Sequence, residues 1–173
     1  MTADVLALGR LLDREAICDL LLRYCRGVDR RDPAMLERIY WPDAVDDHVH
    51  VRLSGPDYVA HVLRATADMR TAHHLTNILI TFDDPDVARS EAYFLGLHEM
   101  PGEGAESGSL MFVMLSGRYL DRMERRNGEW RIAYRTLVFD MQQTLPAGAW
   151  TDGWLARIAR RGQAWPDDPL YAL

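Results

Sequence analysis

Two ionisable side chains in the sequence have the types and positions that proton transfer requires. Asp29 lies in the segment CRGVDRRDP, near the end of a predicted helix, where it continues a stripe through Cys18 and Cys25. His73 lies in the segment RTAHHLTN, at the start of a predicted strand. A carboxylate partner holds an imidazole in one tautomer, so the second ring nitrogen can take a proton at neutral pH. Contact between these two residues would therefore create an acid–base pair.

The position of Asp29 has two interpretations. In the first, it is an active-site carboxylate, although the helix dipole makes a negative charge mildly unfavourable at the C-terminal end of a helix. In the second, the helix ends earlier, because helix ends are imprecise by a residue or two. Asp29 would then pair in water with Arg26, Arg30 or Arg31. The sequence leaves both interpretations open.

Two adjacent histidines compete for the inward position on the strand. Alternation gives one face Thr71, His73, Leu75, Asn77 and Leu79, and gives the other His74, Thr76, Ile78 and Ile80. Both faces carry apolar residues, so we expect one of the two histidines to point inward. A change of register by one residue would exchange them.

Other polar residues could reach the same pocket. Arg135 alternates with apolar residues in WRIAYRTLVFDM, and a buried charge needs a partner or an anionic ligand. His98 shares a strand face with Phe94 in VARSEAYFLGLHEM. Tyr24 lies on the stripe of the first helix, one turn before Val28.

No metal ion or other cofactor is expected. His48 and His50 are two residues apart on a segment that could be extended, and with His73 or His98 they would supply enough nitrogen ligands. The sequence has no HExxH motif, however, and no well-placed cysteine ligand. It also lacks GxGxxG, P-loop and GxSxG motifs, which argues against a nucleotide cofactor and serine-hydrolase chemistry.

Size, charge and cysteine use limit the function classes. The 173 residues suffice for one domain, which we expect to span residues 1–173. The net charge of −6 argues against nucleic acid as a partner, and no apolar run approaches the ~20 residues that cross a membrane. Cys18 and Cys25 would lie roughly 10 Å apart on one helix, too far for a disulfide. Without a secretory signal at the N-terminus, we expect a cytoplasmic protein.

The pattern predicts helices first and strands afterwards. The predicted helices are the segments 4–30, 30–41, 54–69 and 151–162, followed by an irregular tail. The predicted strands are the segments 70–82, 87–100, 109–125 and 130–144, with a flexible connector at 101–108. Asn127–Gly128 is a strong hairpin signal, and residues 43–55 are a short strand or extended arm.

This order indicates an α+β fold. Consecutive antiparallel strands would form a curved sheet with the N-terminal helices packed on one face. Such a sheet makes a cone, and the mouth of the cone encloses a pocket suited to a small molecule.

Three segments together resemble a known family. REAICDLLLRYCRGVDRRDPAMLERIYWPDA is the best marker, and TAHHLTNILITF and RMERRNGEWRIAYR support it by order and spacing. They are similar to the SnoaL-like branch of the nuclear-transport-factor-2-like superfamily over roughly residues 10–143. The resemblance implies the same α+β cone, to which a C-terminal helix and tail at 150–173 are added.

The resemblance also implies roles for the candidate residues. Cofactor-free lyases of this superfamily carry an acid–base pair at positions that match Asp29 and His73, and some carry a pocket arginine that matches Arg135. We predict these three as the catalytic residues. The residues predicted to bind the substrate are Tyr24, Trp41, His48 and His98.

The predicted function is therefore elimination of the dehydratase type, without a cofactor, on a hydrophobic, cyclic small molecule. The alternatives are an isomerase or cyclase like ketosteroid isomerases and polyketide cyclases, a non-catalytic ligand-binding protein, or a structural partner like the β subunits of ring-hydroxylating oxygenases. We expect a homo-oligomer, dimer or trimer, that associates through the open sheet face. The residues expected to be exposed there are Met111, Val113 and Leu115.

Overall fold

Three helices and six strands make up the described part of the chain. In this computed structural model it comprises residues 3–102, 110–146 and 162–172. The helices are α1 (Ala3–Arg30), α2 (Pro33–Leu36) and α3 (Gly55–Ala65), and a 3-10 turn covers Pro169–Ala172. The strands are β1 (Tyr40–His48), β2 (Val51–Ser54), β3 (Arg70–Asp84), β4 (Val87–Pro101), β5 (Leu110–Arg126) and β6 (Glu129–Pro146). The predicted connector and the predicted last helix lie mostly outside the described residues.

The strands form one curved, open sheet in the order β2-β1-β6-β5-β4-β3. Strands β3 to β6 are consecutive antiparallel hairpins, and Asn127–Gly128 forms the last turn, as predicted. The α+β fold is confirmed. One detail differs, because β1 runs parallel to β6 and makes the sheet mixed rather than wholly antiparallel.

The core lies between α1 and the sheet face that it covers, which we call the inner face. Helix α1 packs on β3 and β6, and α3 packs on β1 and β2. The buried apolar residues come from both layers and include Ile17, Leu21, Val28, Ala92, Met123 and Ile132. None of the described helices combines the length and the apolar character needed to cross a membrane.

Helix α2 is shorter than the sequence suggests. Asp32 caps it by accepting a hydrogen bond from the backbone N of Met35 at 3.1 Å. The helix was expected to end at Trp41, but β1 already begins at Tyr40, which is in register with Ile132 of β6. Pairing with β6 therefore outweighs the local helical tendency.

A β-bulge changes the faces of β3 halfway along the strand. Asn77 adopts a positive φ of 44°, and the register with β4 shifts between Thr76 and Leu79. After the bulge, Ile80 is 4% exposed and Leu79 is 58% exposed. The expectation that Asn77 and Leu79 share the face of His73 is therefore wrong, because the extra residue reverses the alternation.

The apolar residues of β5 that were expected to be exposed face inward. Val113 is 8% exposed, and Leu115 packs against the core, opposite Gly96. The residue exposed between them, on the outer face, is Met114. The prediction that Met111, Val113 and Leu115 lie on the exposed face is wrong, because alternation alone does not show which face of a strand meets the helices.

Residues 162–172 return to the C-terminal end of α1. The backbone N of Trp165 donates to the carbonyl oxygen of Arg30 at 2.6 Å, and the hydroxyl of Tyr171 donates to Asp32 at 2.8 Å. This tail holds the end of the helix in which Asp29 lies.

Gly117 of β5 provides a test of how closely the sheet is packed. A Cβ atom there would lie 2.1 Å from the carbonyl oxygen of Val138 and 2.9 Å from Cε1 of Phe94. Because a backbone oxygen cannot rotate away, Gly117→Ala should lower the free energy of unfolding by about 3 kcal/mol, the upper end of the usual overpacking cost.

The matched control is the same substitution at Gly9, in α1, where a Cβ atom would meet nothing within 4 Å. Gly9→Ala should raise the free energy of unfolding by about 0.5–1 kcal/mol through helix propensity. Denaturant unfolding of both variants measures the two effects. Equal effects would contradict the close packing at Gly117.

Candidate active site

The carboxylate of Asp29 binds the first residues of β3. Its Oδ1 lies 2.6 Å from Nδ1 of His73 and accepts a hydrogen bond from the hydroxyl of Thr71 at 2.8 Å. Its Oδ2 accepts from the backbone N of His73 at 2.8 Å. The side chains of Asp29 and His73 are only 12% and 10% exposed. Helix α1 continues to Arg30, so Asp29 lies within the last turn and not beyond a frayed end.

The neighbouring arginines are engaged elsewhere. Arg31 donates to two backbone carbonyl oxygens between α3 and β3. Arg30 contacts the carboxylate of Asp168 at 3.4 Å, and Arg26 lies 5.9 Å from an aromatic ring of the tail. Among the described residues, none of the three forms an ion pair with the carboxylate of Asp29. The alternative of an arginine-paired Asp29 in water is therefore not the arrangement that the chain adopts.

Two opposing effects set the pKa of Asp29. Burial raises this pKa, but the hydrogen bonds and charge of His73, with the hydroxyl of Thr71, outweigh it and hold the pKa below its ordinary 3.8. Asp29 is then ionised at neutral pH and can only accept hydrogen bonds, so Nδ1 of His73 carries the ring proton. When His73 is neutral, its Nε2 holds the lone pair that a general base needs.

The register of β3 separates the two adjacent histidines. His74 is exposed on the outer face, whereas His73 pairs with Gly96 of β4 on the inner face. A Cβ atom at Gly96 would lie 3.0 Å from Cε1 of His98 and 3.6 Å from Cδ2 of His73. The missing side chain thus gives the two imidazoles room to meet edge to face, with ring centroids 5.3 Å apart.

His98 is a neutral neighbour of His73. Burial and the charge of His73 lower the pKa of His98 to about 4, although Asp29 acts in the opposite direction. Nδ1 of His98 is buried and has no hydrogen-bond partner within the described part of the chain. An unpartnered ring nitrogen beside His73 is a candidate contact for a polar group of a ligand.

Aromatic rings connect His73 with β1. The ring of His73 lies 6.5 Å from that of Phe94, which stacks on Tyr119 at 4.7 Å. Tyr119 in turn lies 6.4 Å from His48. Phe94 and Leu115, which lie on the same sheet face as His73, place apolar groups beside the acid–base pair, and this suits a hydrophobic ligand.

Arg135 is fully buried and already neutralised. Its Nε and Nη2 donate to the carboxylate of Asp121 at 2.7 and 2.8 Å, and both side chains are 0% exposed. Tyr24 and Tyr119 lie 4.2 and 4.3 Å from the guanidinium. Burial alone would lower the pKa of Arg135, but Asp121 outweighs it and raises this pKa well above the ordinary range. Of its donors, Nη1 has no partner among the described residues.

Tyr24 belongs to a cluster of buried phenols. Its hydroxyl lies 3.5 Å from that of Tyr58, and burial raises the pKa of both groups, so they stay protonated. Tyr24 therefore contacts Tyr58 and Arg135. Within the described residues, no hydrogen bond joins it to His73.

His48 has a carboxylate partner that the sequence analysis missed. Nδ1 of His48 lies 2.5 Å from Oδ1 of Asp46, whose side chain is 0% exposed. The readable signal was the Asp-x-His spacing, which places both side chains on one face of a strand. His50 lies in the turn after β1 and is exposed, so the expectation that His48 and His50 share a strand face is wrong. Across residues 3–102, 110–146 and 162–172, no three His, Cys, Asp or Glu residues are grouped to hold a metal ion.

Trp41 is not brought to this site. Its Nε1 donates to the carbonyl oxygen of Glu124 at 3.0 Å, and two arginine side chains cover its ring. Glu124 lies nine residues along β5 from Leu115, which is in the row of His73. Nine residues of strand span roughly 30 Å. The structure therefore gives Trp41 packing contacts far from Asp29.

Comparison with known proteins identifies the family. The family model for the SnoaL-like domain matches residues 9–136. The chain belongs to the SnoaL-like family. The crystal structure of a type 2 hexachlorocyclohexane dehydrochlorinase has the same fold, with a TM-score of 0.72 and 26% identity over 80% of this chain and 93% of that one.

Two sequence relatives each match 73% of this SnoaL-like chain. Hexachlorocyclohexane dehydrochlorinase 1 from Sphingobium indicum is 30% identical over 131 residues, which are 80% of its length. Terrestric acid biosynthesis cluster protein E from Penicillium crustosum is 29% identical over 130 residues, which are 83% of its length. Relatives of this chain therefore include a lyase.

The lowered pKa of His98 predicts a loss of stability in mild acid. Between pH 6.5 and about 4, the unfolded chain protonates this histidine and the folded protein does not. Above pH 6.5, His98 therefore does not reduce the free energy of unfolding. Below pH 6.5, the free energy of unfolding falls as the pH falls. Over this range, the wild type should lose up to about 3 kcal/mol more than His98→Gln.

Denaturant unfolding at pH 7, 5.5 and 4 measures this difference. His50→Gln, which replaces an exposed histidine, is the control and should follow the wild type. If His98→Gln shows the same pH slope as the wild type, His98 titrates as it does in the unfolded chain.

Proposed function

We propose that this SnoaL-like protein is a cofactor-independent lyase that eliminates a small leaving group from a hydrophobic, cyclic small molecule. The observation that carries this proposal is the 2.6 Å contact between Asp29 and Nδ1 of His73, with both side chains nearly buried. This contact leaves Nε2 of His73 as a base among aromatic and apolar side chains.

The proposed reaction begins with proton abstraction. Nε2 of His73 takes a proton from a carbon adjacent to the one that bears the leaving group. The electrons of the C–H bond form the new double bond, and the leaving group departs with the electrons of its own bond. Asp29 stabilises the imidazolium of His73 until water removes the proton. General acid–base catalysis of this kind contributes roughly 10²–10⁴-fold in rate.

The relatives support elimination as the reaction class. The name of the Sphingobium indicum relative describes the removal of hydrogen chloride from a chlorinated ring. Removal of hydrogen chloride needs a base and a pocket that excludes water. The reaction itself does not require a cofactor. The buried rings of Phe94 and Tyr119 beside His73 supply an apolar setting for a ring substrate.

Replacement of the pair should separate catalysis from folding. His73→Ala should reduce elimination by roughly 10²–10⁴-fold, because no base remains. Asp29→Asn should have a similar effect, since an amide can donate to Nδ1 and force the ring proton onto Nε2. Chloride release from hexachlorocyclohexane and enone formation from cyclic β-hydroxy ketones are the two assays.

His74→Ala is the matched control, because it removes the adjacent histidine from the outer face. It should leave turnover unchanged. Full activity of His73→Ala would refute the role of the pair. Binding of these rings without any turnover would instead favour a ligand-binding protein.

We also propose that the protein is a homo-oligomer that associates through the outer sheet face. Exposed apolar side chains gather there, with Tyr93 40%, Leu95 36% and Met114 39% exposed. Replacement of both Leu95 and Met114 by Lys should therefore lower the molar mass measured by light scattering to that of one chain. Leu22→Lys, at an exposed position of α1, is the control and should not change the mass. A monomeric wild type would refute this proposal.

A further inference from the structure

A second carboxylate–imidazole pair lies on β1. Asp46 and His48 repeat the geometry of the first pair, because Nδ1 lies 2.5 Å from a carboxylate oxygen, against 2.6 Å between Asp29 and His73. The other oxygen of Asp46 accepts a hydrogen bond from the hydroxyl of Tyr40 at 2.5 Å. The carboxylate is thus fixed on both sides, and Nε2 of His48 is left for another partner.

The ring of His48 is held in place and is still accessible. It stacks on Tyr58 of α3, with centroids 4.3 Å apart and planes 26° from parallel. Asp46 is in register with Arg135 of β6, which places the pair on the inner face. The side chain of His48 is 17% exposed, while that of Asp46 is 0% exposed. The ring of His48 is therefore partly accessible, whereas the carboxylate of Asp46 is not.

The two pairs belong to one interior. The rings follow in the order His73, Phe94, Tyr119 and His48, with each ring within 6.5 Å of the next. One imidazole therefore stands at each end of an aromatic pair.

Two buried carboxylates and one buried guanidinium lie around the second pair. Arg135 carries one positive charge, and Asp121 and Asp46 carry two negative charges when ionised, all three with side chains that are 0% exposed. The phenols that surround them are uncharged. Arg135 pairs with Asp121, so Asp46 takes its hydrogen bonds from Tyr40 and contacts His48 instead.

On the basis of the proposed function, we propose that His48 is the acid of the elimination and that Asp46 positions it. While His73 removes the proton from carbon, the C–O bond breaks with its electrons going to oxygen. The oxygen takes the proton from Nε2 of His48 and leaves as water. Solvent then removes the proton of His73 and returns one to His48. The substrate class is accordingly a cyclic alcohol with a hydroxyl group β to an electron-withdrawing group.

Leaving-group dependence tests this assignment. The probes are 3-hydroxycyclohexanone and 3-chlorocyclohexanone, which both give cyclohex-2-enone and differ only in the need for an acid. His48→Gln should slow water elimination by roughly 10²–10⁴-fold and chloride elimination far less, because chloride leaves without a proton. Thermal unfolding checks that the variant folds.

Two control variants replace residues near the second pair that are not expected to take part in the reaction. His50→Gln replaces the exposed histidine of the turn, and Asp47→Asn replaces the aspartate on the other face of β1, which contacts Arg52. Both should retain wild-type rates. Asp46→Asn should reproduce the selective loss seen with His48→Gln, and if it fails to fold, His48→Gln alone decides.

Ring-nitrogen NMR provides a readout that does not need turnover. Cyclohexanol, a hydroxyl probe that cannot eliminate in this way, should shift Nε2 of His48, whereas chlorocyclohexane should shift only the ring of His73. A merely structural His48 would respond to neither probe, and that result would overturn the inference.

The outcomes distinguish the two proposals. Equal losses for both leaving groups in His48→Gln would overturn the acid role and leave His73 as the base. Turnover that survives His73→Ala would overturn the proposed function. If neither ketone is turned over, the proposed function fails for these rings, and the response of His48 to cyclohexanol decides its role as a hydroxyl-binding group.

Discussion

The hydrogen bonds between Asp29 and the start of β3 are the interaction on which the site depends. A carboxylate in the last turn of a helix meets the negative end of the helix dipole, so α1 alone would not favour it. Three hydrogen bonds from Thr71 and His73 offset that cost and tie the helix to the sheet. The same bonds fix the tautomer of His73. Docking of the helix and orientation of the His73 ring are therefore one event.

Periodicity and turn chemistry predicted most of the fold. The stripe of α1, the alternation of β3 to β6 and the Asn127–Gly128 turn are local signals that tertiary packing did not overrule. The β1–β2 hairpin was missed because its turn residues are Val49 and His50, and Val49 adopts a positive φ of 57° that β-branched residues avoid. Asn77, in contrast, was a readable bulge signal, because asparagine tolerates positive φ.

Residues of the candidate site could be predicted from the sequence only where the chemistry of a side chain requires a partner. Asp29 and His73 were named from residue types and from the family resemblance, and the structure brings them into contact. Arg135 was recognised as a buried charge, but its partner Asp121 lies on another strand, and strand register is not visible in a sequence. Trp41 was misplaced because an aromatic residue packs equally well in a core or a pocket, and its type does not tell them apart.

A row of polar residues crosses the inner face of the sheet. Ser90, Asp121, Arg135 and Asp46 are in register on β4, β5, β6 and β1. Buried ion pairs seldom add stability over apolar residues of similar size, so their presence points to a role beyond folding. Elimination of water needs a base at carbon and an acid at oxygen, each of which contributes roughly 10²–10⁴-fold. The row ends at Asp46, which contacts His48. The rings of Tyr119 and Phe94 lie between His48 and His73. The inner face thus carries two carboxylate-bound imidazoles, which is the arrangement that the proposed elimination requires.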